Sequence, residues 1–346
     1  MSAETSIETM KAVRIHRYGA PETLVYEDLP KPRPAAGQVL IRNEAAGVNF
    51  ADIEQRRNNY PVKPPLPHIL GGEFAGTVEE LGDGVDGVCV GQRVFGIVQP
   101  ARPGGYAQYV VADSDTVHPL PDQIGFAEGT ALLVQGLTAY FLLRDGVRLR
   151  AGDSILILAA AGGLGSLSVQ LAKIMKAGLI VGAASTQAKR LWVGDLGADV
   201  TIDYTNDGWS AAVLDVTDGR GVDAALVNVG GSAFDQAIAA LAPFGRLSAY
   251  GSADETSPVV DFGAQFQVGR LNANQTLGFF SLYPYQGQGS SALRPALDAL
   301  TSYVASGELK VNIGLQLPLS RAAEAHRLIE TRQSTGKAVL LPWAEN

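Results

Sequence analysis

Hydrophobic and polar positions change rhythm twice along this chain. From Lys11 to about Val111, short apolar runs alternate with proline and glycine turns. Lys11–His16, Leu24–Glu27, Val39–Ala46, Ala75–Leu81 and Tyr106–Val111 predict strands. Pro30, Pro32, Pro34, Pro61, Pro64, Pro65 and Pro67 exclude long helices where they stand, because proline lacks an N–H and clashes with the preceding turn. After about Gly125 the character shifts, and Phe126–Leu143 predicts a helix with few breakers. Strands and helices then alternate. Ser154–Leu158, Leu179–Ala184, Val200–Ile202, Ala224–Val227 and Arg246–Tyr250 predict strands, with helices at Leu164–Met175, Trp209–Val216 and Phe234–Leu241. Such alternation predicts a parallel sheet covered on both faces. Helices at Leu293–Ser306 and Ala322–Thr331 and a strand at Ala338–Leu341 follow. The expected architecture is a β-rich domain, an inserted α/β domain and a C-terminal return to the first.

Length and composition add bounds to this picture. With 346 residues there is chain for two ordinary domains, and 46% hydrophobic against 18% charged residues suits a well-buried globular protein. The apolar stretch from Ser154 to Ser185 is long enough for a membrane span. It contains Gly162, Gly163, Gly165, Lys173 and Lys176, which fit a strand, turn, helix and second strand better. A formal net charge of −8 argues against nucleic-acid binding and against an anionic membrane surface. The single cysteine, Cys89, rules out an intrachain disulfide. Residues 1–9 lack the basic-then-apolar layout of a signal peptide and are expected to be a flexible extension, with a cytoplasmic location.

The candidate chemistry lies in Ala159-Ala160-Ala161-Gly162-Gly163-Leu164-Gly165. From Ala160 it follows G-x-G-x-x-G with alanine at the first glycine. Gly162 lets backbone N–H groups approach a pyrophosphate, Gly165 allows close packing of helix on strand, and the helix N-terminus supplies free donors and a positive dipole end. The motif lies between a predicted strand and a predicted helix, which is the context it requires. A plain glycine-rich packing turn is the alternative. Folds that prefer NAD place Asp or Glu at the end of the second strand to hold the ribose 2′-OH. Here Ala183-Ala184-Ser185-Thr186 occupies that end, with Lys189 and Arg190 close behind. Hydroxyl donors and a cation suit a 2′-phosphate, so NADPH is the expected cofactor. The bland reading of Lys189 and Arg190 is a solvated helix face.

These features and several other motifs make the chain resemble the medium-chain dehydrogenase/reductase superfamily, in its zinc-free quinone oxidoreductase branch. The resemblance runs from about Met10 to Pro342. It rests on Gly47-Val48-Asn49-Phe50-Ala51-Asp52, Arg57 with Tyr60-Pro61, Gly71-Gly72-Glu73-Phe74-Ala75-Gly76, Gly91-Gln92-Arg93-Val94, Gly136-Leu137-Thr138-Ala139-Tyr140, the Ala159–Gly165 turn and Gly336-Lys337. It implies an α/β fold: a Rossmann doubly wound parallel sheet over residues 135–276, and a β-rich GroES-like catalytic domain from 10–134 and 277–346. Zinc-dependent relatives carry Cys where Asn49 stands and His where Gly72 stands. Neither Asn49 nor Gly72 is a useful zinc ligand, and the histidines His16, His68, His118 and His326 have no paired spacing.

The resemblance implies hydride transfer from NADPH to a quinone or an activated, enone-type alkene without a metal. It puts Asn49 and Thr138 near the nicotinamide and ribose, and Tyr60 at the substrate mouth as a hydrogen-bond or proton donor. Tyr60 packed beside Pro61, and Asn49 as a turn residue, are the structural alternatives. Gly162, Gly163 and Leu164 belong to the phosphate turn. Ser185, Lys189 and Tyr204 fall around the adenosine phosphate, and Asn228, Tyr250, Gly251 and Ser252 fall at later strand ends. Phe279 and Phe280 border the nicotinamide, and Lys337 approaches the cofactor. Bland readings make Tyr204 a strand residue, Phe279 and Phe280 core, and Lys337 a surface charge. Glu54 stands where some relatives have tyrosine, so that tyrosine's role is absent here. Family members commonly pair as homodimers through the edge of the cofactor-domain sheet. Two other functions remain open: an NADPH-binding structural or interaction protein with little catalysis, and an enoyl-thioester reductase with Arg56, Arg57 and Lys63 in a basic channel.

Overall fold

The computed structural model describes residues 8–99, 101–251 and 273–345. They form two compact units. One unit takes residues up to Val134 together with Gln288–Ala305 and Val311–Asn346, and the other takes Gln135–Gly287 and Ser306–Lys310.

The first unit is β-rich. Strand β1 (Thr9–Ile15) pairs antiparallel with β2 (Leu24–Pro30) and with β4 (His68–Ile69). A larger sheet is built on β3 (Gln38–Val48), which pairs with β5 (Glu73–Leu81) and β7 (Tyr109–Asp113). It extends through β6 (Arg93–Ile97) and β8 (Val117–Pro119). Thr9 already lies in a strand, so the expected extension over residues 1–9 is shortened at its C-terminal end, and residues 1–7 lie outside the described residues. One apolar cluster joins Ile15, Val48, Leu70, Tyr106 and Leu340, and a second joins Val39, Phe74, Val94 and Val110.

The helix expected over Phe126–Leu143 runs to Gly146. It contains α2 (Phe126–Ala131), a π-helical turn at Leu132–Gly136, α3 (Leu137–Phe141) and a second π-helical turn at Leu142–Gly146. By length and composition it could cross a membrane, yet 61% of its most apolar window is buried inside the fold.

In the second unit, β9 (Ser154–Ile157), β10 (Leu179–Ala183), β11 (Val200–Ile202), β12 (Val222–Val227), β13 (Leu241–Tyr250) and β14 (Thr276–Phe280) form one parallel sheet. Its order is β11-β10-β9-β12-β13-β14, the doubly wound Rossmann arrangement. Helices α4 (Gly163–Ile174), α5 (Gln187–Asp195), α6 (Trp209–Asp215) and α7 (Ser232–Ala239) connect the strands. The near-continuous apolar runs of β9, β10 and β12 are those of strands buried on both faces. The resemblance implies an end to this unit at 276; the compact unit runs to Gly287. The reason is β14, whose residues pair with β13 from Arg246↔Thr276 to Tyr250↔Phe280.

The chain then forms α8 (Tyr283–Gln286) and α9 (Ser290–Ser306). It closes on β15 (Ile313–Pro318), α10 (Ala322–Glu330) and β16 (Lys337–Leu341). Strand β16 pairs antiparallel with β3, Ala338 opposite Val48 and Val339 opposite Gly47.

Candidate active site

The turn between β9 and α4 has the geometry of an anion cradle. Gly162 is the N-cap of α4, so the first N–H groups of the helix have no partner within it. Ala159 takes φ of +49°, a left-handed conformation that bends the chain sharply out of β9. A Cβ on Gly165 would lie 2.4 Å from the Ala159 carbonyl oxygen, so only glycine lets the helix approach the strand this closely. A Cβ on Gly163 would meet Gln135 Oε1 at 2.1 Å, the far end of a side chain in the π-helical turn. Gln135 Oε1 is itself buried without a partner among the described residues, and π-helical turns are frequent at functional sites. The residue patterns considered above did not single out Gln135.

Around the end of β10 the charges are sorted. Thr186 caps α5, its side chain accepting from the Lys189 N–H at 3.3 Å. Arg190 is engaged: its Nη1 donates to Asp203 at 2.7 Å and to the Ala184 carbonyl at 3.2 Å. Asp203 also accepts from the Thr205 N–H and hydroxyl, and these contacts hold its carboxyl below the usual range. The nearby carboxylate is therefore paired with Arg190, and Ser185 is half-buried. Tyr204 lies in the turn after β11, not in a strand, and packs against the core of this unit.

At the strand ends, Asn228 Oδ1 after β12 and the Tyr250 hydroxyl at the end of β13 are buried without partners among the described residues. Burial pushes the Tyr250 phenol up and keeps it protonated. Gly251 follows at φ +57°, and Ser252 lies outside the described residues. Thr138 is buried on α3. Phe279 is 63% exposed and does not fit the core reading, whereas Phe280 stacks on Tyr285 with ring centroids 5.9 Å apart.

In the β-rich unit, Asn49 is the N-cap of α1 (Phe50–Arg56). Its N–H donates to Asp52 Oδ2 at 2.8 Å, and the Gly72 N–H donates to Asp52 Oδ1 at 3.1 Å. Lys337 is no surface charge. It is 1% exposed, and its Nζ donates to Glu73 Oε2 at 2.5 Å and to Asn49 Oδ1 at 2.9 Å. Asn49 Nδ2 is buried and has no partner among the described residues. Below this group, the Tyr106 hydroxyl meets Asp52 at 3.3 Å and His326 Nε2 at 3.0 Å. Burial, reinforced by the Glu73 charge, raises the Asp52 carboxyl to about 6, and burial lowers His326 to about 3.

Glu73, Asp52, Tyr106 and His326 complete a polar cluster around Asn49, a role the sequence did not assign them. The available signal was acids inside otherwise apolar, glycine-rich motifs at 47–52 and 71–76. Tyr60 is half-buried in the segment after α1. Arg56 is fully buried and paired with Glu330, and Arg57 meets Glu330 at 2.9 Å. Both pair with Glu330; they are two of the three cations that the enoyl-thioester alternative would place in a basic channel.

Comparison with known proteins agrees with this geometry. Residues 35–122 match the alcohol dehydrogenase GroES-like domain, and residues 196–340 match the zinc-binding dehydrogenase family. A quinone oxidoreductase of Pseudomonas aeruginosa is 36% identical over 96% of this chain and 99% of its own length. A 2-haloacrylate reductase from a Burkholderia species is 32% identical over 96% and 99%. The Escherichia coli quinone oxidoreductase structure complexed with NADPH is 29% identical, with a TM-score of 0.88, over 96% of this chain and 100% of that one.

The fold and these matches define a medium-chain dehydrogenase/reductase. Within that class, the chain belongs to the quinone oxidoreductase-like family. The zinc-binding label of the second match does not extend to positions 49 and 72, where asparagine and glycine offer no zinc-binding group.

Proposed function

We propose that this protein is an NADPH-dependent reductase that reduces quinones or activated, enone-type alkenes without a metal. The observation that carries the reading is the strand–turn–helix at Ala159–Gly165, joined to a second strand that ends without a carboxylate. Polar atoms on Gln135, Asn228 and Tyr250 that are buried without a partner among the described residues fit a polar ligand, since such atoms are costly to leave unsatisfied. Gly162, Gly163 and Leu164 would hold the pyrophosphate at the N-terminus of α4. Ser185 and Lys189 would hold the 2′-phosphate, with Tyr204 beside the adenosine. Thr138, Asn228, Tyr250, Gly251, Ser252, Phe279, Phe280 and Lys337 complete the proposed cofactor contacts. NADPH, when bound, supplies the hydride.

Asn49 is assigned to the acceptor oxygen, where its Nδ2 hydrogens would stabilise developing negative charge. Tyr60 is assigned to the substrate mouth as a hydrogen-bond donor. Relatives that bear both quinone and haloacrylate names favour a carbonyl-conjugated acceptor over a simple alcohol. We also propose a homodimer formed along β14, one of the two outer strands of the parallel sheet.

The test is NADPH oxidation, followed by absorbance, with purified protein and a panel of quinones, enones and haloacrylates. Turnover on at least one class is expected. NADPH binding with no turnover on any would replace this reading with that of a binding protein.

A further inference from the structure

We infer that Glu73 is a positioning residue for the reduction: by holding the Lys337 ammonium against the Asn49 amide oxygen, it fixes which way that amide faces. The inference rests on the assignment of Asn49 to the acceptor oxygen. An amide side chain can turn over, exchanging oxygen for nitrogen with little change of shape. Lys337 removes that choice here. An ammonium has three donors and no acceptor, so the group it meets at 2.9 Å must be the amide oxygen. Asn49 Nδ2 is then directed elsewhere, and it has no partner among the described residues.

The arrangement is built rather than incidental. Residues 49 and 337 meet because β3 and β16 are antiparallel in a register that sets Ala338 opposite Val48. Glu73 and Lys337 are 0% and 1% exposed, so each ion depends on the other. The second Glu73 oxygen accepts from the Val134 N–H at 2.7 Å, at the π-helical turn. Gly47 keeps the space open, since a Cβ there would lie 1.9 Å from Glu73 Oε2 and 2.9 Å from Lys337 Cε. Asp52 holds the backbone of Asn49 while Lys337 holds its side chain, so the residue is clamped at both ends. Stability alone is a weak reason for such a pair, because apolar residues of similar volume often serve a buried site as well or better.

The test compares Glu73→Gln, Asn49→Ala and the double variant, reading kcat, KM for the acceptor and NADPH affinity by fluorescence. At saturating NADPH, Glu73→Gln is expected to lower kcat about tenfold or more while NADPH affinity changes by less than about threefold. The double variant is expected to be no slower than Asn49→Ala, since both changes remove one interaction. Should Glu73→Gln fail to fold, the pair Glu73→Leu with Lys337→Met removes the clamp without leaving a buried charge, and the same kcat loss is expected. Unchanged kcat in folded Glu73 variants, or losses that multiply in the double variant, would overturn the inference. Unchanged kcat in Asn49→Ala would instead overturn the assignment of Asn49 on which it rests.

Discussion

Lys189 and Arg190 are adjacent cations with different proposed duties. Arg190 is held by Asp203 and the Ala184 carbonyl, so it neutralises a carboxylate that would otherwise repel a phosphate there. Lys189 lies one position earlier on α5, in the first turn behind the Thr186 cap. Lys189→Glu is expected to weaken NADPH binding about tenfold or more, with NADH changing by less than about threefold, because only NADPH loses a charged hydrogen bond. Fluorescence titration with both nucleotides decides it, and equal weakening removes Lys189 from the phosphate site. The expectations drawn one residue at a time came from the motifs: Asn49 and Gly72 against zinc, and Ser185 against NAD. Glu73 and Lys337 were illegible in this sense, because their meaning is their contact and 264 positions separate them.

At the scale of elements, the β9–turn–α4 unit turns on which glycine meets backbone and which meets side chain. Gly165→Ala drives a methyl onto the Ala159 carbonyl, where only the backbone can yield. A loss of about 1–3 kcal/mol in stability, with impaired NADPH binding, is expected. Gly163→Ala meets the end of the Gln135 side chain, which can swing aside, so a smaller loss is expected. Thermal melts with and without NADPH measure both, and equal costs would contradict this account of the turn. The strands with continuous apolar runs were visible in the sequence. Helix α5 was visible only as the alternative reading of Lys189 and Arg190, because Val193 is the one buried residue along it and no apolar stripe marks it. Helix α1 was hidden for the opposite reason. It buries Asp52, Gln55 and Arg56, whose polarity suggests an exposed segment until Glu330 and the Asn49 and Gly72 N–H groups are in place.

For the whole molecule, three buried histidines set the response to acid. Burial lowers His68 and His118 to about 4 and His326 to about 3, so all three are neutral in the folded protein at pH 7. Unfolding returns each to about 6.5, and the unfolded chain then binds more protons than the native one. The stability they contribute is full above about 6.5 and is lost as the pH falls toward their folded values. Asp52 opposes them: its raised value makes the native state hold a proton that the unfolded state releases between the ordinary carboxylate range and about 6. One group against three leaves the sign unchanged. Melting temperature is therefore expected to fall steadily below about pH 6.5. His118→Phe, at a site already packed edge-on against Phe95, is expected to reduce the slope by up to about 1.4 kcal/mol per pH unit. An unaltered slope in that variant would contradict the assignment.

The sequence by itself determined the two-unit organisation, the parallel sheet and the strand–turn–helix at Ala159–Gly165, because periodicity and glycine spacing are local and act through neighbouring backbone. It also carried the lack of zinc ligands at positions 49 and 72, which follows from residue chemistry alone. Only the tertiary structure decided that β14 extends the parallel sheet, that Arg190 is tied to Asp203, and that Lys337 lies buried between Glu73 and Asn49. Each depends on sheet register or on burial, which bring distant residues within hydrogen-bond reach and make a charge costly unless it is paired.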